Sequence, residues 1–127
     1  MKTAFTLFFT FISFIAFSQA KIAVDHPDYN FGTFNEGGDS THILTAKNIG
    51  DKPLIIISVT KPCGCTEPTF SQKPIMPGET GTVTVLYRSA DHPGYFKKTL
   101  QIKTNDPKKD VFTISISGTV IAKKAKD

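Results

Sequence analysis

Tryptophan is absent from this chain of 127 residues, and cysteine and methionine occur only twice each. The two cysteines are parted by a single glycine, in Cys63-Gly64-Cys65. That spacing rules out a disulfide joining two distant parts of a core, and so small a count rules out a disulfide-dense scaffold. No apolar run reaches the ~18–20 residues of a bilayer span, because the longest, residues 4–17, falls short. The net charge is a mild +4, and many lysines gather in Lys108-Lys109 and Lys123-Lys124-Ala125-Lys126 rather than alternating with aromatics on one surface. Nucleic acid is therefore not an expected partner. Helical periodicity is missing throughout. Ser40, Ser71 and Ser89 lack the glycine elbow that would expose a nucleophile. Asp25, Asp28, Glu36, Asp39 and Asp51 are too scattered for a calcium loop.

The N-terminus carries the clearest address. Met1-Lys2-Thr3 is a short basic start, residues 4–17 are apolar and rich in Phe and Ile, and Ser18-Gln19-Ala20 offers small residues where a signal peptidase reads. Cleavage is expected after Ala20, with no stable membrane span afterwards. No cysteine follows the run, so a lipid-anchored form is not expected. The compartment is then secreted or periplasmic and permits disulfides.

From Lys21 onward the apolar residues recur with period two. Leu44, Ala46 and Asn48 share one face. Val83, Val85 and Tyr87 alternate with Thr82, Thr84 and Leu86, and Leu100, Ile102 and Thr104 repeat the pattern. Phe112, Ile114, Ile116 and Gly118 complete the set, while residues 54–59 form a continuous apolar run of strand length. Strands are predicted over 22–34, 41–48, 54–60, 69–70, 82–87, 96–104 and 111–120. Tyr29, Phe31 and Phe34 are expected in the core, and Tyr95 with Phe96 as packing residues at a strand entry. Met76-Pro77-Gly78-Glu79 suits a type II turn, and 48–53 and 105–107 have turn composition. About seven short strands in little over a hundred residues predict an all-β fold, an immunoglobulin-like antiparallel β-sandwich. The expected organisation is a signal peptide (1–20), one sandwich domain (21–120) and a flexible Lys-rich tail (121–127).

Several segments carry a family likeness: Tyr29-Asn30-Phe31-Gly32, residues 48–54, Cys63-Gly64-Cys65-Thr66, Pro77-Gly78-Glu79, residues 98–105 and Ile116-Ser117-Gly118-Thr119-Val120. Together they resemble the bacterial domain-of-unknown-function family 1573. That family is similar in fold to Hydin-type and major-sperm-protein-like immunoglobulin domains. The resemblance implies an exported β-sandwich and no particular activity.

With strands alternating in direction, the connections before 41, after 60 and after 87 gather at one end. Cys63, Cys65 and His92 lie in those connections and His42 at the adjoining edge of the strand 41–48, whereas His26 lies near the start of the chain. Three uses of the cysteine pair compete. A disulfide can stiffen the loop. A small-ring disulfide is also strained and easily reduced, which suits redox chemistry, although no helix N-terminus is predicted beside it to lower a thiol pKa. Two thiolates with His42 and His92 have the donor softness for copper(I) or zinc. The expectation is a non-enzymatic binding or structural module of the cell envelope, with no catalytic residue, no required cofactor and an unidentified protein partner. The alternative is a copper- or zinc-handling or thiol-redox protein using Cys63 and Cys65.

Export gives the first prediction. N-terminal sequencing of the exported protein should start at or within a residue or two of Lys21, and recovery of intact Met1 in that fraction would count against secretion.

Overall fold

The computed structural model describes residues 8–12 and 18–124, so much of the expected signal segment and the last three residues of the expected tail lie outside the described residues. Eight strands follow in order: β1 (Ile22–Val24), β2 (Asp28–Asn35), β3 (Asp39–Asn48), β4 (Ile56–Val59), β5 (Thr66–Phe70), β6 (Thr80–Arg88), β7 (Gly94–Thr104) and β8 (Val111–Ile121). They form two four-stranded sheets, ordered β1-β3-β6-β5 and β2-β8-β7-β4. Among the described residues no helix is long and apolar enough to cross a membrane.

The alternation read from sequence sets the two inner faces. Leu44, Ala46, Val83, Val85 and Tyr87 come from the first sheet, and they meet Phe96, Leu100, Ile102, Ile114, Ile116 and Val120 from the second. Tyr87 and Phe96 stack across the interface with ring centroids 3.8 Å apart. Burial of this apolar set is the main stabilising term, at about 25 cal/mol per Å² removed from water. The expected turn closes as read: Gly78 has φ 82° and Glu79 N–H donates to Met76 O at 2.9 Å.

Two features differ from the sequence reading. The stretch 22–34 is two strands in different sheets, because the chain breaks at His26-Pro27. His26 has φ 40°, a conformation that ends a strand, and Pro27 has no N–H to give to a ladder. The Asp25 carboxylate accepts Thr45 N–H at 2.6 Å on the first sheet, and Pro27 O accepts Ser115 N–H at 2.8 Å on the second. As a result β2 runs parallel to β8, the one parallel pair among the described residues in an otherwise antiparallel sandwich. The short strand expected at 69–70 begins earlier, at Thr66, directly after the second cysteine.

Two buried polar side chains hold the end opposite the cysteines. Asn48 is fully buried and donates to Lys52 O (2.7 Å) and Ile75 O (2.9 Å) while accepting Gly50 N–H (2.9 Å). Asp106, also buried, accepts Ile22 N–H (2.9 Å), Lys108 N–H (2.9 Å) and Lys109 N–H (3.3 Å), tying β1 to the β7–β8 turn. Burial alone would raise the Asp106 carboxyl, but those three donors and the nearby Lys109 charge outweigh it, holding its pKa below the usual 3.8.

A depressed folded-state pKa stabilises the fold above the unfolded value, and that contribution disappears as pH falls through the folded one. Asp106→Asn should therefore cost about 1–3 kcal/mol at neutral pH. It should also flatten the loss of stability below pH 3.8, as read by urea melts across that range. An unchanged acid slope would show that Asp106 is not the group responsible.

Candidate functional site

Cys63 and Cys65 are joined in a disulfide, with Cα atoms 5.2 Å apart, inside the β4–β5 connection. Cys63 is half-buried, whereas Cys65 is only 6% exposed and belongs to the core. The Cys63 carbonyl accepts both the Thr66 N–H (3.4 Å) and the Thr66 hydroxyl (3.3 Å), and Arg88 N–H donates to Cys65 O at 2.8 Å. The bridge thus leads straight into the β5–β6 ladder. Outside it, Lys61, Pro62 and Gly64 face solvent, and Glu67 pairs with Arg88 on the outer surface.

Two more connections reach this end. Ser89, buried just after β6, donates through Oγ to Gly38 O (2.6 Å) and accepts Gly37 N–H (3.0 Å). Glu36 accepts Asp91 N–H (3.1 Å) and Lys123 N–H (2.7 Å). The gathering of connections expected from strand direction is therefore present. Ser89 and Glu36, set aside on sequence as a nucleophile and as a calcium ligand, are the struts that hold it.

The two imidazoles have different surroundings. His92 is exposed in the β6–β7 turn, with its N–H donating to Ser89 O at 3.0 Å. His42 faces inward from β3, only 8% exposed, and stacks on Tyr29 with centroids 4.0 Å apart. In its Nε2–H tautomer it donates to the His26 carbonyl at 3.3 Å. The register sets the His42 and Cys65 Cα atoms two strands and three residues apart, about 14 Å by strand geometry. Among the described residues no group of three or more His, Cys, Asp or Glu side chains comes together to hold a metal. The parity of His42 with Leu44 and Ala46 was the available signal that it faces the core. His26 lies at the sheet change, 3.5 Å from the Asp25 carboxylate.

The aromatics are also partly redistributed. Phe31 and Phe34 pack against the core, but Tyr29 sits at its margin, and Tyr95 is 71% exposed rather than packed. Phe96 shares its parity with Leu100 and Ile102, which places Tyr95 on the other face of β7.

A family model described as "Protein of unknown function (DUF1573)" matches residues 22–120. No curated protein matches the chain. Among solved structures, a protein of unknown function from Porphyromonas gingivalis W83 is similar, with TM-score 0.72 and 18% identity over 87% of this chain. This chain spans about half of that protein, 51%. The ASH/PapD-like domain 7 of human CEP192 is similar at TM-score 0.67 and 12% identity, covering 84% of this chain and 89% of that one. The Vibrio cholerae VesB protease follows at TM-score 0.65 and 15% identity, covering 77% and 31%. At such identities the likeness is one of fold alone.

Closing a loop of three residues removes little unfolded-chain entropy. Replacing both cysteines by serine should cost only about 1–2 kcal/mol in a denaturant melt. A larger loss would make the bridge a structural necessity. Melting that is chelator-sensitive in the reduced protein and insensitive in the double variant would instead reveal a metal.

Proposed function

The chain belongs to the DUF1573 family, and we propose that it is an exported, non-enzymatic module of the cell envelope, secreted or periplasmic, that docks a protein partner through the end carrying the Cys63–Cys65 loop. The observation that supports this reading is the disulfide itself. Such bonds persist in oxidising compartments, in keeping with the signal-like N-terminus. So short a closed loop removes little unfolded-chain entropy, which points to shape as its purpose. A bridged loop holds Lys61, Pro62 and Gly64 in one arrangement before any partner arrives, which lowers the ordering cost of binding.

Thiol redox is the second reading, favoured by the asymmetry of the pair. The half-buried Cys63 is the sulfur an external thiolate can reach, and the buried Cys65 would leave as the thiolate. Copper or zinc handling would use the same two sulfurs after reduction.

Gly64 offers a direct test, because a Cβ built there meets no heavy atom within 4 Å. A photo-crosslinking residue at Gly64 should give one discrete adduct with an envelope protein, lost when Cys63 and Cys65 become serine. The same probe at Ile43, on the outer face of the first sheet, should not give that adduct. Equal labelling from both positions, or none from Gly64, would defeat docking at this end. A thiol count that cycles between bridged and reduced forms in the native compartment would favour redox instead.

A further inference from the structure

The second sheet turns an outward face to solvent, away from the core. There β2, β8 and β7 lie side by side. Their register places Asp28 beside Ser115, and Asn30 beside Ser117, which in turn faces Lys97, with Tyr95 next along β7 on the same face. The middle strand carries serines where both neighbours carry taller side chains. It therefore lies low between two walls, and the result is an open trough of about 240 Å³.

The lining is polar, of both charge signs, and partly committed in advance. Asp28 Oδ1 accepts the Ser115 hydroxyl at 2.6 Å, which fixes the carboxylate and leaves its other oxygen as an acceptor. Asn30 Oδ1 accepts Gly32 N–H at 2.8 Å, so the amide N–H groups are what this residue can offer a ligand. Lys97 takes part in neither ion pair found among the described residues. Tyr95 supplies an aromatic ring, 71% exposed, that the core does not use.

These groups select among ligand classes. A polyanion would meet one ammonium and one carboxylate, which nearly cancel. A protein interface needs a desolvated apolar centre, and no aliphatic side chain lines this trough. A neutral ring bearing many hydroxyls fits both halves of the lining. Each hydroxyl donates and accepts, matching the carboxylate, amide, ammonium and serine groups, and the ring's C–H face can lie on tyrosine. The volume is below the ~300–1,000 Å³ of sites that enclose a whole small molecule, so the trough suits a segment of a longer chain.

We propose that the β2–β8–β7 trough is a binding site for a neutral oligosaccharide, with Tyr95 as the stacking platform and Asp28, Asn30 and Lys97 as the hydrogen-bonding groups. The site is separate from the disulfide loop, and neither reading depends on the other.

The test is an NMR titration of the isotopically labelled protein with cellohexaose, mannohexaose and chitohexaose, each to millimolar concentration. At least one should shift amides of residues 28–30, 95–97 and 115–117. Tyr95→Ala should weaken that binding about tenfold, equivalent to 1.4 kcal/mol, while its melting stays that of the parent. Ile43→Ala, on the other sheet, should bind as the parent does. Absence of shifts with all three sugars overturns the proposal, as do shifts centred elsewhere, binding unaffected by Tyr95→Ala, or a response confined to an acidic sugar such as hexagalacturonate.

Discussion

The turn from one sheet to the other at Asp25-His26-Pro27 is the constraint on which most of the surface depends. Within a few residues the chain leaves β3, where Asp25 is held by Thr45 N–H, and joins β8, where Pro27 O receives Ser115 N–H. Arriving in that direction, β2 can only run parallel to β8. The parallel register then sets Asp28 and Asn30 beside Ser115 and Ser117 and builds one wall of the outer trough. The same turn brings Tyr29 over His42 and directs the His26 carbonyl at its Nε2. One local break in a strand therefore shapes a surface and engages an imidazole that would otherwise be a candidate ligand.

Most of the strands were legible because period-two alternation reports a physical fact, that one face of each strand is dry. Leu44 with Ala46, Val83 with Val85, and Leu100 with Ile102 all fall on the predicted inner faces. What alternation does not report is the partner across the ladder. The apolar spacing of Tyr29, Phe31 and Phe34 is the same whichever sheet receives them, so the division of 22–34 between two sheets was hidden. Pro27 signals a missing donor without saying where the chain goes next. The misplacement of Tyr95 has a different origin, since the parity of its own strand contained the answer.

The two ends of the sandwich solve different problems. At one end, buried Asn48 and Asp106 satisfy backbone groups of several connections, so polar loops can pack tightly with every buried side-chain polar atom of the described residues paired. At the other, struts from Ser89 and Glu36 leave the disulfide loop presented to solvent. Removing a buried hydrogen-bonding hub costs the desolvation of every group it served, while removing a staple across three residues costs little. Substitutions at the two hubs of the first end should therefore cost more stability than removal of the staple at the second.

That division bears on the order of events at the N-terminus. Gln19 O accepts Asp51 N–H at 2.9 Å, Ala20 is buried in the core, and Gly50 lies so close to residues 19–21 that a side chain there would strike their backbone. A peptidase needs an accessible segment, and in the folded domain the backbone on either side of the Ala20–Lys21 bond is hydrogen-bonded to residues 49–51, with Ala20 buried. If the chain is cut there, the cut must come before this edge closes. The mature domain then retains β1 through Ile22 N–H to Asp106 and Ile49 N–H to Lys21 O, both of which survive the loss of Gln19 and Ala20. Asp106 is thus placed to hold β1 whether or not the residues before Lys21 are present.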